Sequence, residues 1–219
     1  MSKLAWITGC LLMLAAVPPA DAFIVINEFL ADPAAGLAGD ANADGVRSSS
    51  EDEFVELFNQ APAQMNLTGW RLEDAAGVKH VFPSGSTIGG LDYLVVFGGG
   101  TPSLPGVDWQ TASSGGLILN NGGDTISLFD ENGLLKDEVV YGSEGGGDQS
   151  LSRYPEGGKD WMLHSLIEGA EGALFSPGAA AVSREEIPRA AVPEFPPVVY
   201  FSMAGLFQWA RVRLGMTAA

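Results

Sequence analysis

Asn120-Asn121-Gly122-Gly123-Asp124-Thr125-Ile126-Ser127-Leu128-Phe129-Asp130-Glu131-Asn132-Gly133 carries the pattern that sets the fold class. Thr125 and Ser127 alternate with Ile126 and Leu128, the two-residue period of a strand with one face in a core and the other in water. The flanking Asn, Asp and Gly residues tolerate the positive φ that a tight reversal needs. The stretch therefore predicts two hairpins. One joins 117–119 to 125–129 through 120–124, and the other joins 125–129 to 135–141 through Glu131-Asn132-Gly133.

The same grammar extends in both directions. Short apolar runs separated by Gly, Asn, Asp and Pro predict strands at 23–31, 53–59, 69–73, 78–82, 93–98, 117–119, 125–129, 135–141, 149–154 and 161–164. No helical period interrupts them. So many short strands with tight turns, in about 155 residues, argue for an all-β sandwich of two sheets.

Outside 23–178 the character changes. Met1-Ser2-Lys3, the apolar stretch 4–17 and Ala20-Asp21-Ala22 make a secretory signal peptide over 1–22, with the mature chain starting at Phe23. Ile7-Thr8-Gly9-Cys10 has an outline of a lipoprotein cleavage site, but little apolar sequence precedes it. Cys10 is the one cysteine, so cleavage after Ala22 leaves a domain without disulfides that relies on its core and on any bound ion. Ala runs, prolines and Arg184-Glu185-Glu186 read as a linker over 179–197. Residues 198–219 are an apolar tail with Tyr200, Phe201, Phe207 and Trp209 before Arg211 and Arg213. Its apolar run is shorter than the ~20 residues of a membrane-spanning helix. Val192-Pro193-Glu194-Phe195-Pro196 ahead of it is similar to bacterial Pro-Glu-Pro sorting signals, so the tail reads as a sorting or anchoring segment, with a plain amphipathic tail as the alternative.

Eleven Lys and Arg against 27 Asp and Glu give a net charge of −16, and loss of Lys3 and Asp21 with the signal leaves it unchanged. Such a chain repels nucleic acid, which needs clustered bases to displace counterions. Acidity favours cations and also keeps an exported protein soluble.

A specific cation site is written into Asp40-Ala41-Asn42-Ala43-Asp44-Gly45-Val46-Arg47-Ser48-Ser49-Ser50-Glu51, which meets every fixed position of the D-x-[DN]-x-[DN]-G-x5-E calcium loop. The expected ligands to Ca²⁺ are Asp40, Asn42, Asp44, the carbonyl of Val46, Ser48 through water and a bidentate Glu51. Gly45 permits the bend. The flanks are a Pro- and Gly-broken approach and a strand, Glu53 to Phe58, rather than the two helices of an EF-hand. The ion is therefore expected to act as a staple and not a sensor. A merely polar loop is the alternative.

Other chemistry is poorly supported. Asp52 and Glu53 point to opposite faces of a strand, and they, like Glu28 and Glu56, read as solvated edges or as support for calcium, not as a glycosidase pair. His80 and His164 lack a second ligand at helical spacing. There is no G-x-S-x-G, and Ser150 has no base partner in the sequence. Gly98-Gly99-Gly100 and Gly145-Gly146-Gly147 lack the Lys of a phosphate loop and read as turns.

Taken together, Ile26-Asn27-Glu28, Asp52-Glu53-Phe54-Val55-Glu56-Leu57 with Asn59, Leu67-Thr68-Gly69-Trp70-Arg71-Leu72-Glu73-Asp74 and Phe82-Pro83 resemble the lamin-tail domain of bacterial exported proteins. Leu119 to Asp124 with Ile126 and Leu128, Gln149 to Pro155, and Phe175-Ser176-Pro177-Gly178 continue the resemblance over most of 23–178. The resemblance implies an immunoglobulin-like β-sandwich acting as a non-catalytic module, with no active-site residue to transfer and the calcium loop as an insertion. Trp70 is then a core anchor and Arg153 a polar tie between a strand and a neighbouring loop. The resulting expectation is a calcium-stabilised binding or adhesion module, secreted or at a bacterial cell surface. Its partner would be a protein or glycan, with a membrane tether through the tail. The rivals are an accessory domain of a secreted metal-dependent hydrolase or nuclease, and a structural envelope protein.

Overall fold

The computed structural model describes residues 23–182. The expected signal peptide, the tail and most of the expected linker lie outside the described residues. Within them the chain is all β, with no α-helix and only short 3-10 turns.

Twelve strands form: β1 (Ile24–Leu30), β2 (Phe54–Asn59), β3 (Met65–Asn66), β4 (Arg71–Asp74), β5 (Gly77–Val81), β6 (Thr87–Ile88), β7 (Tyr93–Phe97), β8 (Trp109–Thr111), β9 (Asp124–Phe129), β10 (Leu135–Tyr141), β11 (Leu151–Arg153) and β12 (Trp161–Leu163). One sheet has the order β12-β11-β1-β2-β7-β8, a second β10-β9-β4-β5, and β3 and β6 make a small ribbon. All pairings are antiparallel except β7 with β8. The predicted hairpin through Asn132-Gly133 is present: Asp130 caps it by accepting the Asn132 and Leu134 amides, and Gly133 sits at φ +80°.

The first predicted hairpin is not formed. Residues 117–119 are not a strand, and β9 pairs with β10 and β4 instead. Leu117 and Leu119 are buried as the apolar pattern requires. Between them Ile118 takes φ +57°, and the Leu119 amide goes to the Glu53 side chain rather than to a neighbouring strand. The alternating burial of 117–119 is that of a loop and not of a strand.

Between the two large sheets lies the main core, with Ile26, Phe29, Leu57, Trp70, Leu72 and Leu128 among its members. Removing such side chains from water is the chief stabilising term, at about 1.5–3 kcal/mol each. The larger sheet also buries its other face: β1, β2 and β7 are buried at every position. There Leu30, Phe54, Val95 and Phe97 are covered by Ala41, Leu104, Val107 and Phe175, while Val25, Phe58 and Tyr93 are covered by Ala180. A third layer of loops and the 165–182 segment thus lies over a sheet that a simple sandwich would leave wet. Packed chain continues to Val182, past the point where composition turns linker-like.

A bulge at Asn27 decides which side chains share that outer face. The β1–β2 register passes from Ile26↔Leu57 to Glu28↔Glu56. An extra residue reverses the alternation, so Glu28 leaves the side of Ile26 and joins that of Val25 and Leu30.

Where the bulge separates β1 from β11, side chains replace the missing ladder. The Ile26 amide donates to Asp137 Oδ2 (2.8 Å) and its carbonyl accepts from Arg153 Nε (2.7 Å). Arg153 also pairs with Asp137 through Nη2, reaches the Gly158 carbonyl, and stacks on Trp161. The expected polar tie is therefore broader than strand to loop: it joins the two sheets.

Candidate functional sites: an acidic loop and a buried carboxylate cluster

The loop 40–52 projects between β1 and β2. Asp40 Oδ2 accepts the Gly45 amide, Asn42 Oδ1 the Asp44 amide, and Asp44 Oδ1 the Val46 amide, each at 2.9–3.0 Å. The bonds of Asn42 and Asp44 are Asx turns, nested within the longer Asp40–Gly45 bond; with Gly45 at φ +90°, they curl the first half of the loop about its own oxygens. Asp40 Oδ1 is buried without a hydrogen-bond partner. A buried anionic oxygen lacking a donor is costly unless something positive meets it.

The neighbouring loop supports this curl from outside. Asp44 Oδ2 accepts the Thr101 amide, and the Asn42 carbonyl accepts the Ser103 amide. Gly100 is required at this approach: at φ +75°, a Cβ there would stand 2.4 Å from Asn42 Nδ2 and 2.7 Å from Asp44 Oδ2. Val46 and Glu51 are exposed and Ser48 half-buried. The Glu51 side chain lies against Gly99 at the far end of the loop. Among the described residues no three Asp, Glu, His or Cys side chains stand as a ready metal cluster. Gly99 and Gly100 thus stand between Glu51 on one side and Asn42 with Asp44 on the other.

Asp52 is the residue whose role the sequence concealed. Fully buried, it accepts the Asn42 amide through Oδ1 (3.1 Å) and the Ser48 amide through Oδ2 (2.7 Å), clamping both limbs of the loop. Burial raises its pKa, with a further push from Asp40, while the amides pull it down. Glu53 is also buried, and accepts the Leu119 amide; burial pushes it up to about 7. Neither is a solvated edge: the 40–51 loop closes over Asp52, and the 117–119 loop closes over Glu53.

A second carboxylate set lies on the outer face of the large sheet. Glu28 and Glu56, directly opposed across β1 and β2, are 1 % and 0 % exposed. Asn27 Nδ2 bridges Glu56 Oε1 (3.0 Å) and Glu156 Oε2 (2.6 Å), its own Oδ1 being held by the Gly157 amide. Ser150 Oγ donates to Glu28 Oε1 at 2.6 Å, so Ser150 has an acidic partner after all, 122 residues away in sequence and sealed from solvent. Burial raises Glu28 to about 7, raises Glu56 well above its ordinary range with the help of Glu28, and raises Glu156.

Both histidines are buried rather than on the surface. His164 contacts Ser152 Oγ through Nδ1 and leaves Nε2 without a partner; burial lowers it to about 4, so it is neutral near pH 7. His80 meets Gln110 through Nε2, and burial lowers its pKa too.

The lamin tail domain family matches residues 18–143, more than half of the chain, and this chain belongs to that family. Its members are non-catalytic, immunoglobulin-like domains, and the chain is a binding module of that general kind. No curated protein matches it. Beyond the matched stretch, β11 and β12 still complete the sheet beside β1, so the folded unit runs past the family pattern.

Proposed function

We propose that this chain is an exported lamin-tail-type binding and adhesion module, braced by one Ca²⁺ in the loop 40–51 and displayed at a bacterial cell surface or released into the medium. The observation that carries the calcium reading is the buried, partnerless Asp40 Oδ1 inside nested Asx turns built from the residues of the calcium pattern. Asp40, Asn42, Asp44 and the Val46 carbonyl would hold the ion, with Ser48 through water and Glu51 closing from the far side. The ion supplies charge neutralisation, and the chain supplies the rest: Asp52 fixes the limbs of the loop, and the Gly99–Gly100 approach holds it against β2 and β7. Export rests on the signal sequence 1–22 and surface retention on the tail 198–219.

An ion that binds only the folded state stabilises it by about 2.7 kcal/mol at a hundredfold excess over Kd. Melting with millimolar Ca²⁺ is expected several degrees above melting in EDTA, and titration calorimetry should show one site. Coincident melting curves would remove the staple. Fractionation into medium, surface and membrane tests the location. The rival hydrolase reading needs a free acid or base beside the loop, whereas Asp52 and Glu53 are both engaged with backbone amides. A screen for phosphodiester and glycoside cleavage, with Glu53→Ala as the control, separates the two.

A further inference from the structure

Glu28, Glu56 and Glu156 share a feature of the outer sheet face that the calcium reading does not touch. Each accepts a backbone amide from the 174–182 segment: Ser176 to Glu28 Oε1 (3.0 Å), Gly178 to Glu56 Oε2 (2.7 Å) and Ala181 to Glu156 Oε1 (2.8 Å). That segment contributes no charged side chain. Beyond the Leu174 carbonyl, which accepts from Ser150, its grip on the sheet is three carboxyl groups plus the apolar contacts of Phe175, Ala180, Ala181 and Val182.

We infer that Glu28 and Glu56 hold one proton between them, resident on Glu28, and that this proton is the latch by which the sheet retains residues 174–182, so that rising pH loosens the segment.

Hydrogen-bond parity assigns the proton. Glu56 has only nitrogen donors, Asn27 Nδ2 on one oxygen and the Gly178 amide on the other, and neither can accept a proton. Burial pushes Glu56 up as it does Glu28, but these donors satisfy Glu56 as a carboxylate, so donor chemistry and not burial decides which of the pair carries the proton. Glu28 is met by hydroxyls that have a second acceptor within reach. Ser176 Oγ lies 2.9 Å from Glu28 Oε2 and 3.2 Å from the Ala179 carbonyl; Ser150 Oγ lies 2.6 Å from Glu28 Oε1 and 3.2 Å from the Leu174 carbonyl. A protonated Glu28 therefore donates to Ser176 Oγ, which turns its own hydrogen to Ala179. No buried group is orphaned, and the turned hydroxyl adds a bond inside the segment.

The donors from Ser150, Ser176, Asn27 and Gly178 favour the ionised form, but burial outweighs them and no cation among the described residues offsets two anions here. β1 and β2 contribute Glu28 and Glu56 themselves, the 154–158 loop contributes Glu156, and Tyr93 of β7 donates to Glu156. From the 3-10 turn His164–Leu166, His164 Nδ1 stands 3.5 Å from Glu28 Oε1, but the ring is neutral near pH 7. Arg153 of β11 is committed to Asp137, and no Lys or Arg pairs with the three glutamates among the described residues. Two like charges on opposed residues in a dry site cannot both ionise at low cost, so the pair keeps a proton beyond the ordinary carboxylate range. Opening the segment admits water and abolishes that preference. The closed state thus binds more protons than the open one, and closure weakens as pH rises.

Amide exchange of the full chain from pH 5.5 to 8.5, corrected for intrinsic hydroxide dependence, tests this. Protection of Ser176, Gly178 and Ala181 should fall by about tenfold per pH unit across the range in which the proton is lost, while Leu94 and Val96 in β7 do not follow. Glu28→Gln should hold the segment closed at every pH, since its amide nitrogen can donate to Ser176 Oγ as the acid does. Glu56→Gln should cost at least about tenfold in protection at pH 6, because one nitrogen donor then meets an amide N–H. Flat wild-type protection, a pH dependence that survives in Glu28→Gln, or a Glu28→Gln as damaging as Glu56→Gln would each overturn the latch. Should Glu56→Gln fail to fold, the wild-type profile and Glu28→Gln decide the matter.

Discussion

Loop and sheet use the same functional group in opposite ways. In the 40–52 loop, carboxylates curl around backbone amides beside water and leave one oxygen turned inward. On the sheet, Glu28 and Glu56 are dry and opposed, with the half-buried Glu156 beside them and the amides of a covering segment as donors to all three. The loop meets its carboxylates with amides from its own backbone, whereas the sheet sets its glutamates against one another, and burial raises them. Solvent access, and not residue type, sets which compensation a carboxylate receives.

The contrast can be broken most severely at Glu56. Glu56→Ala orphans the Gly178 amide and one Asn27 hydrogen in the interior, and should cost about 3 kcal/mol or more in urea unfolding at pH 7. Asp52→Ala orphans the Asn42 and Ser48 amides nearer to water; a loss of about 2 kcal/mol is expected, and a loss below about 0.5 would mean that the loop is held by its neighbours alone.

Titration sharpens the comparison at a smaller scale. Glu28 and Glu53, raised to about 7 from 4.5, bind more protons folded than unfolded. Their contribution is full below pH 4.5 and is lost by about pH 7. His164, lowered from 6.5 to about 4, has the opposite sign: its contribution is full above pH 6.5 and is lost as pH falls toward 4. The two trends offset each other between pH 4.5 and 6.5. Above pH 6.5 only the glutamates of this set still change, so the unfolding free energy from denaturant titration should drop by about 1 kcal/mol between pH 6.5 and 8, and by less in Glu28→Gln.

Asp40→Asn should leave the metal-free melting curve within about 0.5 kcal/mol of wild type while reducing the Ca²⁺-dependent gain, as calorimetry in parallel would reveal. Smallest of all is Val46→Ala. The side chain is 64 % exposed and only the carbonyl is a proposed ligand, so neither stability nor calcium response should move beyond measurement error.

Nine of the ten expected strands are present because their apolar alternation, or their continuous burial, is local information. The failure at 117–119 came from reading burial as pairing. Leu117 and Leu119 fill the core, but the Glu53 carboxylate takes an amide that a strand would have shared. β3 and β6 are two residues long, too short for any period to register. β8 is three residues long, and its parallel partner β7 lies across an intervening loop. The calcium pattern was legible because its fixed positions fall within twelve successive residues. The buried cluster was not, because the bulge at Asn27 reverses the face of Glu28 and its partners come from positions 56, 150, 156, 164 and 176.

Strand periods, turn residues and the spacing of the calcium pattern act over a few residues, so the chain determines an all-β sandwich and the pattern of its acidic loop without reference to anything distant. Which carboxylates lose their water depended on the covering layer and on one bulged residue. Those are long-range packing outcomes, and only the folded molecule could decide that Asp52 clamps, that Glu53 ties a loop, and that Glu28 and Glu56 face each other in the dry.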